Sequence, residues 1–110
     1  MSFSMDREDD VLTVAVVGQL TVANRQDFKQ AILDQMAQGA RIVLVDLNEA
    51  AYVDSSGLGA LVSLNRRLHD GGGELRLIGL NEDLKSLFEL TRLDTLFPIY
   101  SSRDEALGKS

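Results

Sequence analysis

The chain has 110 residues, 45% of them hydrophobic, which suits one domain with a buried core. Its formal net charge of -6 opposes the counterion release behind non-specific nucleic-acid binding, and with no Trp and two Tyr it lacks a stacking platform for single strands. It has no Cys, which excludes disulfides and thiolate metal sites, and no apolar run of the roughly 18 residues that cross a membrane. We therefore expect one cytoplasmic domain over 1–110 that binds neither nucleic acid nor membrane.

Two antiparallel strands are predicted to come first. Residues 2–7 alternate in polarity, with Phe3 and Met5 on one face, and the β-rich run VLTVAVV covers 11–17. An acidic stretch separates the two segments, and Gly18 is expected to close the second strand.

An amphipathic helix is predicted over 23–38. Phe28, Ile32 and Met36 recur there at four-residue intervals, and Gly39 supplies a C-terminal stop. The following segment, 41–47, contains the run IVLV without polar alternation. Such a run indicates a strand that is covered on both faces, so this segment is expected to be the central strand of a parallel sheet.

A second helix and a further strand are predicted after the central strand. Leu58, Leu61 and Leu68 follow helical spacing until three glycines at 71–73 end the pattern. The run ELRLIGL then predicts a strand over 74–80.

Two helices and an edge strand complete the predicted fold. Asn81 is a plausible N-cap for a helix with an apolar stripe. Pro98, in the segment LFPIY, suits an edge strand. Ser102 and Glu105 have capping-box spacing, which predicts a short closing helix. The predicted stripe contains Leu84, Leu87 and Phe88. The order ββαβαβαβα predicts an α/β domain with a mixed, mostly parallel sheet of four to five strands and about four helices.

The segment after the central strand is the predicted functional site. In open α/β folds, functional groups collect at the carboxyl ends of strands, and here that place is the loop 48–59, NEAAYVDSSGLG. Asp54, Ser55 and Ser56 precede the second helix, so one of them is expected to cap it. The glycines of the GLG run leave the first turn free of bulky side chains, so a partner can approach its backbone.

A serine in this position allows two interpretations. Serine before a helix is commonly only a cap. An exposed hydroxyl there is also a sensible phosphate acceptor, because the phosphate would face the positive end of the helix dipole. The dipole term is favourable by only about 0.3–1 kcal/mol, so a phosphate is expected to leave the domain folded and to act at an interface. Spacing alone leaves both interpretations open.

The run YVDSSGLGALVSLNRRL, at 52–68, resembles the signature of STAS domains and closely that of bacterial anti-sigma factor antagonists. The resemblance covers nearly the whole chain. It includes the G-x-L turn at 18–20, the strand IVLVDL, the strand GGELRL and the helix LKSLFELTRL. One departure is Thr21, since many antagonists carry an acidic residue directly after the G-x-L turn. The resemblance implies a single STAS-like domain.

This resemblance also implies a partner-switching cycle. The unphosphorylated antagonist binds an anti-sigma factor with a histidine-kinase-like ATP fold and so frees a sigma factor. The same partner uses ATP to phosphorylate the antagonist, and a PP2C-type serine phosphatase reverses the step. Ser56 corresponds to the family's acceptor, and the antagonist needs no cofactor of its own. The predicted partner-binding residues are Asp54, Ser55, Ser56, Gly57, Leu58 and Gly59.

The surface beyond this motif is less specific. The outer face of the second helix is expected to carry Ser63, Arg66 and Arg67, as part of the partner surface or as a solvated face. Nothing in the sequence demands more than a monomer.

A serine hydrolase is one alternative. It needs a base near Ser56, but the only histidine, His69, lies about 13 residues further along the predicted helix, or roughly 20 Å at 1.5 Å per residue. We therefore expect no enzyme.

A second alternative keeps the STAS fold as a scaffold of a transporter or signalling complex, in which Ser56 makes contacts but never carries phosphate.

A phosphoaspartate receiver is a third alternative. Its acidic pair should follow the first core strand, whereas Asp9 and Asp10 precede it, and the nearest late lysine, Lys109, lies in the C-terminal tail. The other acidic residues that could attract Mg²⁺, or that form only a solvated rim, are Asp46, Glu49 and Asp54.

Overall fold

The computed structural model describes residues 2–108, which form a five-stranded sheet ordered β1-β2-β3-β4-β5. β1 pairs antiparallel with β2, and each later pair of neighbours is parallel. This arrangement confirms the predicted mixed, mostly parallel sheet. The strands are β1 Ser2–Glu8, β2 Val11–Leu20, β3 Ile42–Val53, β4 Glu74–Ile78 and β5 Ile99–Tyr100.

The α-helices in the described part of the chain agree in number with the prediction. Three of them connect consecutive parallel strands, and a single 3₁₀ turn at Leu93–Thr95 follows the third. None of these helices is long and apolar enough to cross a membrane. The helices are α1 Arg25–Ala37, α2 Ser55–Asp70, α3 Glu82–Leu90 and α4 Arg103–Ala106.

Two clusters of buried side chains cover the opposite faces of β3. Val43 and Val45 belong to the larger cluster, which also receives Phe28 of α1 and Phe88 of α3. Leu44, between the two valines, points to the smaller cluster, beside α4. The prediction of a central strand covered on both faces is confirmed.

β2 and β3 continue further than the sequence predicts. β2 continues past Gly18 to Leu20, so the predicted end of this strand is wrong. Residues 48–53 belong to β3, so the prediction of a loop over 48–59 is wrong for its first half. The two strands stay paired as far as Leu20 and Val53, across register shifts that disturb the alternation of side chains. Buried residues therefore recur at every third position of this segment, which hides the strand from a search for a period of two.

Several predicted ends are confirmed within one or two residues. Gly39 follows α1 with a φ of 109°, as expected for a left-handed residue after a helix. Asn81 caps α3, with its Oδ1 accepting from the Leu84 N–H at 2.8 Å. The predicted strand over 74–80 ends earlier, at Ile78, because Gly79 has a φ of 71°.

The last predicted elements are also present. Pro98 directly precedes the edge strand β5, and the Ser102 Oγ accepts from the Glu105 N–H at 3.2 Å at the start of α4. The lysine considered for a receiver site, Lys109, lies outside the described residues.

Candidate functional site

The carboxyl ends of β2 and β3 bring the N-termini of α1 and α2 to one edge of the sheet. Leu20 and Val53, the last residues of the two strands, are paired with each other. From there the chain turns into α1 through a four-residue loop, 21–24, and into α2 through Asp54 alone. The predicted functional segment therefore lies at the expected edge, although its loop is shorter than predicted.

Asp54 is the N-cap of α2. Its Oδ1 accepts a hydrogen bond from the Gly57 N–H at 2.8 Å, and its Oδ2 accepts one from the Val22 N–H at 3.2 Å. Its own N–H donates to the Leu20 carbonyl oxygen at 3.1 Å. One carboxylate thus fixes both the start of α2 and the β2–α1 loop, which resolves the choice among the three predicted caps.

Because Asp54 supplies the cap, neither serine of the first turn caps α2. Ser55 is exposed and Ser56 is half-buried. Within residues 2–108, neither hydroxyl takes part in a side-chain hydrogen bond. The Ser56 hydroxyl is therefore not required by the local fold.

The two glycines of the motif have different surroundings. A Cβ on Gly57 would lie 2.5 Å from the Leu20 carbonyl oxygen and 2.8 Å from the Val53 Cγ1, so α2 sits directly on the ends of β2 and β3. A Cβ on Gly59 would meet nothing within 4 Å. The expected close approach of a backbone is made by the protein itself at Gly57, and only Gly59 is open to a partner.

The six predicted partner-binding residues thus fall into two groups. Gly57 and Leu58 are buried, so they can support a partner surface by packing but do not form it. Their burial differs from the expectation that a partner can approach the backbone there, and partner binding by the motif stays a prediction. The other four are Asp54, Ser55, Ser56 and Gly59, and each is at least partly exposed.

The β2–α1 loop, which the sequence marked only by the departure at Thr21, lies beside Asp54. Asn24 occupies the N-cap position of α1, but its side chain makes no capping hydrogen bond. Its Oδ1 instead accepts from the Thr21 N–H and its Nδ2 donates to the Gln19 carbonyl oxygen, both at 2.9 Å. These bonds give the loop a defined shape beside Asp54. An Asn three residues after Thr21 is a recognisable turn signal that sequence analysis passed over.

Two apolar side chains near Asp54 are exposed. Val22 in the loop is 65% exposed and Tyr52 at the end of β3 is 51% exposed. No sequence signal marks them, because valine and tyrosine in β-rich segments are ordinarily assigned to the core. Together with Ser55 they give this edge a mixed apolar and polar surface, and tyrosine is a residue type that is enriched in protein interfaces.

The acidic residues considered for Mg²⁺ do not form a metal site in the described part of the chain. No group of three or more His, Cys, Asp or Glu side chains there could hold a metal ion. Asp46 Oδ1 accepts from the Asn48 N–H at 2.9 Å, and both Asp54 oxygens accept backbone N–H groups. The interpretation as an acidic rim fits this arrangement.

The remaining predicted residues lie along α2. His69 is exposed in the last turn, at the far end of the helix from Ser56, so the structure does not bring the two together. Arg66 and Arg67 are exposed and Ser63 is half-buried, as expected for the outer face, although Arg67 also borders a groove against α1.

Comparisons with known proteins agree with this architecture. The profile of the STAS domain family matches residues 2–106. The anti-sigma-B factor antagonist of Listeria monocytogenes is 30% identical over 105 residues, covering 96% of this chain and 92% of that protein. A crystal structure of a candidate anti-sigma factor antagonist of Thermotoga maritima, 27% identical, has a TM-score of 0.90 and covers 96% of this chain and 92% of that one. The phosphorylated form of the Bacillus protein SpoIIAA, 18% identical, shares the fold with a TM-score of 0.78 over 97% of each chain.

Proposed function

This chain belongs to the STAS domain family, and we propose on that basis that it is an anti-sigma factor antagonist that phosphorylation of Ser56 switches off. The unphosphorylated form binds an anti-sigma factor in the cytoplasm and releases a sigma factor. The whole chain, 1–110, acts as one STAS domain. The chain performs no catalysis and contributes only the acceptor hydroxyl.

The observation that carries this proposal is that the cap of α2 and the proposed acceptor are different residues. Asp54 caps the helix, so Ser56 is not needed for capping and its hydroxyl can accept a phosphate without costing α2 its cap. A hydroxyl that served as the cap would lose its backbone hydrogen bond on modification. The fold thus allows a phosphate at Ser56 at little cost to stability.

The magnitude of the electrostatic terms indicates how the switch works. A phosphate adds about -1.5 to -2 charges, and the positive end of the α2 dipole stabilises it by about 0.3–1 kcal/mol. The added charge lies two residues from Asp54, at the edge where a partner must exclude water. Binding is therefore lost through repulsion and desolvation, while the domain stays folded. The phosphorylated form of SpoIIAA supports this view, since it retains the fold.

The partners follow from the same proposal. The anti-sigma factor has a histidine-kinase-like ATP fold and phosphorylates Ser56, so ATP and Mg²⁺ bind to that partner. A PP2C-type serine phosphatase removes the phosphate. The contact surface on this chain consists of the exposed part of the motif, from Asp54 to Gly59, and the neighbouring β2–α1 loop.

Intact mass measurement with peptide mapping tests the acceptor. The protein is incubated with ATP, Mg²⁺ and extract from its own source, beside the variants Ser56→Ala and Ser55→Ala. We expect one phosphate on the unsubstituted chain and on Ser55→Ala, and none on Ser56→Ala. A phosphate on Ser55 would contradict the assignment, and no phosphate on a chain that still binds its partner would favour an unphosphorylated scaffold.

A further inference from the structure

α1 and α2 both begin at the edge of the sheet that holds the proposed acceptor, and they pack side by side along their length. A groove between the two helices is lined by Lys29 and Leu33 of α1 and by Arg67 of α2. Ser56 precedes Arg67 by eleven residues, which is about three turns at 3.6 residues per turn. Ser56 therefore lies on the same side of α2 as Arg67, the side that faces α1.

Arg25 occupies the corresponding place on α1. It is the first residue of that helix and lies one turn before Lys29, so its side chain starts from the side of α1 that borders the groove. The loop before it is tied to the start of α2, because the Val22 N–H donates to the Asp54 Oδ2 at 3.2 Å. Arg25 thus begins α1 at the same edge from which α2 begins, on the side of α1 that borders the groove.

The guanidinium of Arg25 has a buried donor without a partner. Its Nε is buried and makes no hydrogen bond within residues 2–108, although the residue as a whole is only half-buried. None of the three ion pairs in this part of the chain includes Arg25. By contrast, Arg41 and Arg76 each donate to a backbone carbonyl oxygen. A buried guanidinium donor ordinarily has an acceptor, so the Arg25 Nε is available to an acceptor that comes within its reach.

We propose that Arg25 receives the phosphate of phosphorylated Ser56, an inference that rests on the proposed phosphorylation of that residue. A guanidinium presents a planar fork of N–H donors that matches phosphate oxygens. The contact supplies the acceptor that the Arg25 Nε lacks and holds the phosphate between α1 and α2, beside the β2–α1 loop. Arg25 is thus a positioning residue that fixes where the new charge meets the partner.

Phosphorus NMR of the full chain with phosphoserine incorporated at position 56 during translation tests this contact without any kinase. The second pKa of a phosphoserine is ordinarily about 6. A guanidinium in contact favours the dianion, so the pKa should be lower in the unsubstituted chain than in Arg25→Gln, by roughly 0.5–1 unit at this partly exposed place. Arg25→Lys keeps the charge and should retain part of the difference.

The matched control is Arg66→Gln, which removes the same charge from the exposed face of α2. It should leave the phosphate pKa as it is in the unsubstituted chain. Equal pKa values in the unsubstituted chain and Arg25→Gln would overturn the inference, and so would an equal shift in Arg66→Gln, which would reveal a net-charge effect.

A second measurement needs no substitution and covers the case in which Arg25→Gln does not fold. The Arg25 Nε–H proton resonance should move downfield on phosphorylation and titrate with the phosphate; an unchanged resonance would also overturn the contact. Both experiments use installed phosphoserine, so their failure leaves the switch itself intact. The proposed switch would be contradicted by a different result, namely equal binding of the anti-sigma factor by the phosphorylated and unmodified chains.

Discussion

The amino and carboxyl ends of the parallel strands use their polar side chains differently. At the amino ends, two arginines close the C-termini of helices. The Arg7 Nη2 donates to the Gln38 carbonyl oxygen after α1 at 2.6 Å, and the Arg41 Nη1 donates to the Gly71 carbonyl oxygen after α2 at 2.9 Å. Cations that bind the last carbonyl groups of a helix also complement its dipole. This end therefore contributes to the stability of the fold.

At the carboxyl ends of β2 and β3, Asp54 and Asn24 bind backbone groups of the fold. The exposed Ser55, the half-buried Ser56 and the exposed Val22 lie around Asp54, and the buried Nε of Arg25 has no partner among residues 2–108. Both ends therefore contribute to stability, but only the carboxyl end also has exposed polar and apolar side chains around a helix start, which the proposed function assigns to recognition. Substitutions at the amino end should accordingly change only the free energy of unfolding, whereas substitutions around Asp54 should also change the affinity for the partner.

The largest expected effect on stability comes from Gly57→Ala. The added methyl group would meet the Leu20 backbone oxygen at 2.5 Å, and backbone cannot move aside cheaply. We expect a loss of about 2–3 kcal/mol in the free energy of unfolding, measured by urea denaturation. Gly59→Ala is the matched control, since its methyl group meets nothing within 4 Å, and it should gain up to about 1 kcal/mol from helix propensity. Similar losses in both variants would contradict the described seating of α2.

The next largest effect is expected for Asp54→Ala. The variant loses the cap on the Gly57 N–H and the bond to the Val22 N–H, at a cost of about 1–2 kcal/mol in urea denaturation. Because the β2–α1 loop is also released, binding of the anti-sigma factor should weaken. Asn81→Ala removes the cap of α3 and should cost a similar free energy with unchanged binding. Weakened binding in both variants would mean that stability alone governs affinity.

A smaller effect is expected at the opposite end of the strands. Arg41→Gln removes the charged donor from the Gly71 carbonyl oxygen and should cost about 1 kcal/mol in the free energy of unfolding. Calorimetric titration should show no change in affinity for the anti-sigma factor. Weaker binding by this variant would remove the distinction between the two ends.

The smallest effects on stability are expected for exposed apolar side chains. Val22→Ser and Tyr52→Ser should change the free energy of unfolding by less than about 0.5 kcal/mol, yet weaken partner binding by about tenfold, because exposed apolar groups at an interface are anchors. Leu90→Ser is the control, since Leu90 is 83% exposed at the far end of α3. It should alter neither quantity. A loss of affinity in Leu90→Ser equal to that of the other two would show that the contact surface lies elsewhere.

The sequence predicts the architecture well, because most elements carry a local signal. The run IVLV identifies the central strand, and Asn81 and Ser102 identify the starts of two helices. The end of β3 carries no such signal, because register shifts against β2 replace its alternation with a period of three. Periodicity in the sequence therefore predicts whether a segment is a helix or a strand, whereas the point at which a strand ends depends on its pairing with another strand.

The site is predictable in place but not in detail. The motif DSSG identifies the start of α2, but the choice of Asp54 as cap depends on Val22, which is 32 residues away in the chain. The burial of Gly57 likewise depends on how α2 packs against the ends of β2 and β3, and Leu58 is buried in the larger core cluster. Such contacts between distant segments leave no pattern in a single sequence.

The most direct test of the proposed switch is a titration of the purified anti-sigma factor from the same source with three forms of the chain. These are the unmodified protein, the protein with phosphoserine incorporated at position 56, and Ser56→Ala. We predict that the unmodified protein and Ser56→Ala bind alike, and that the phosphorylated protein, although equally well folded by circular dichroism, binds at least tenfold more weakly, a difference of about 1.4 kcal/mol. Equal affinities for the phosphorylated and unmodified forms would contradict the switch.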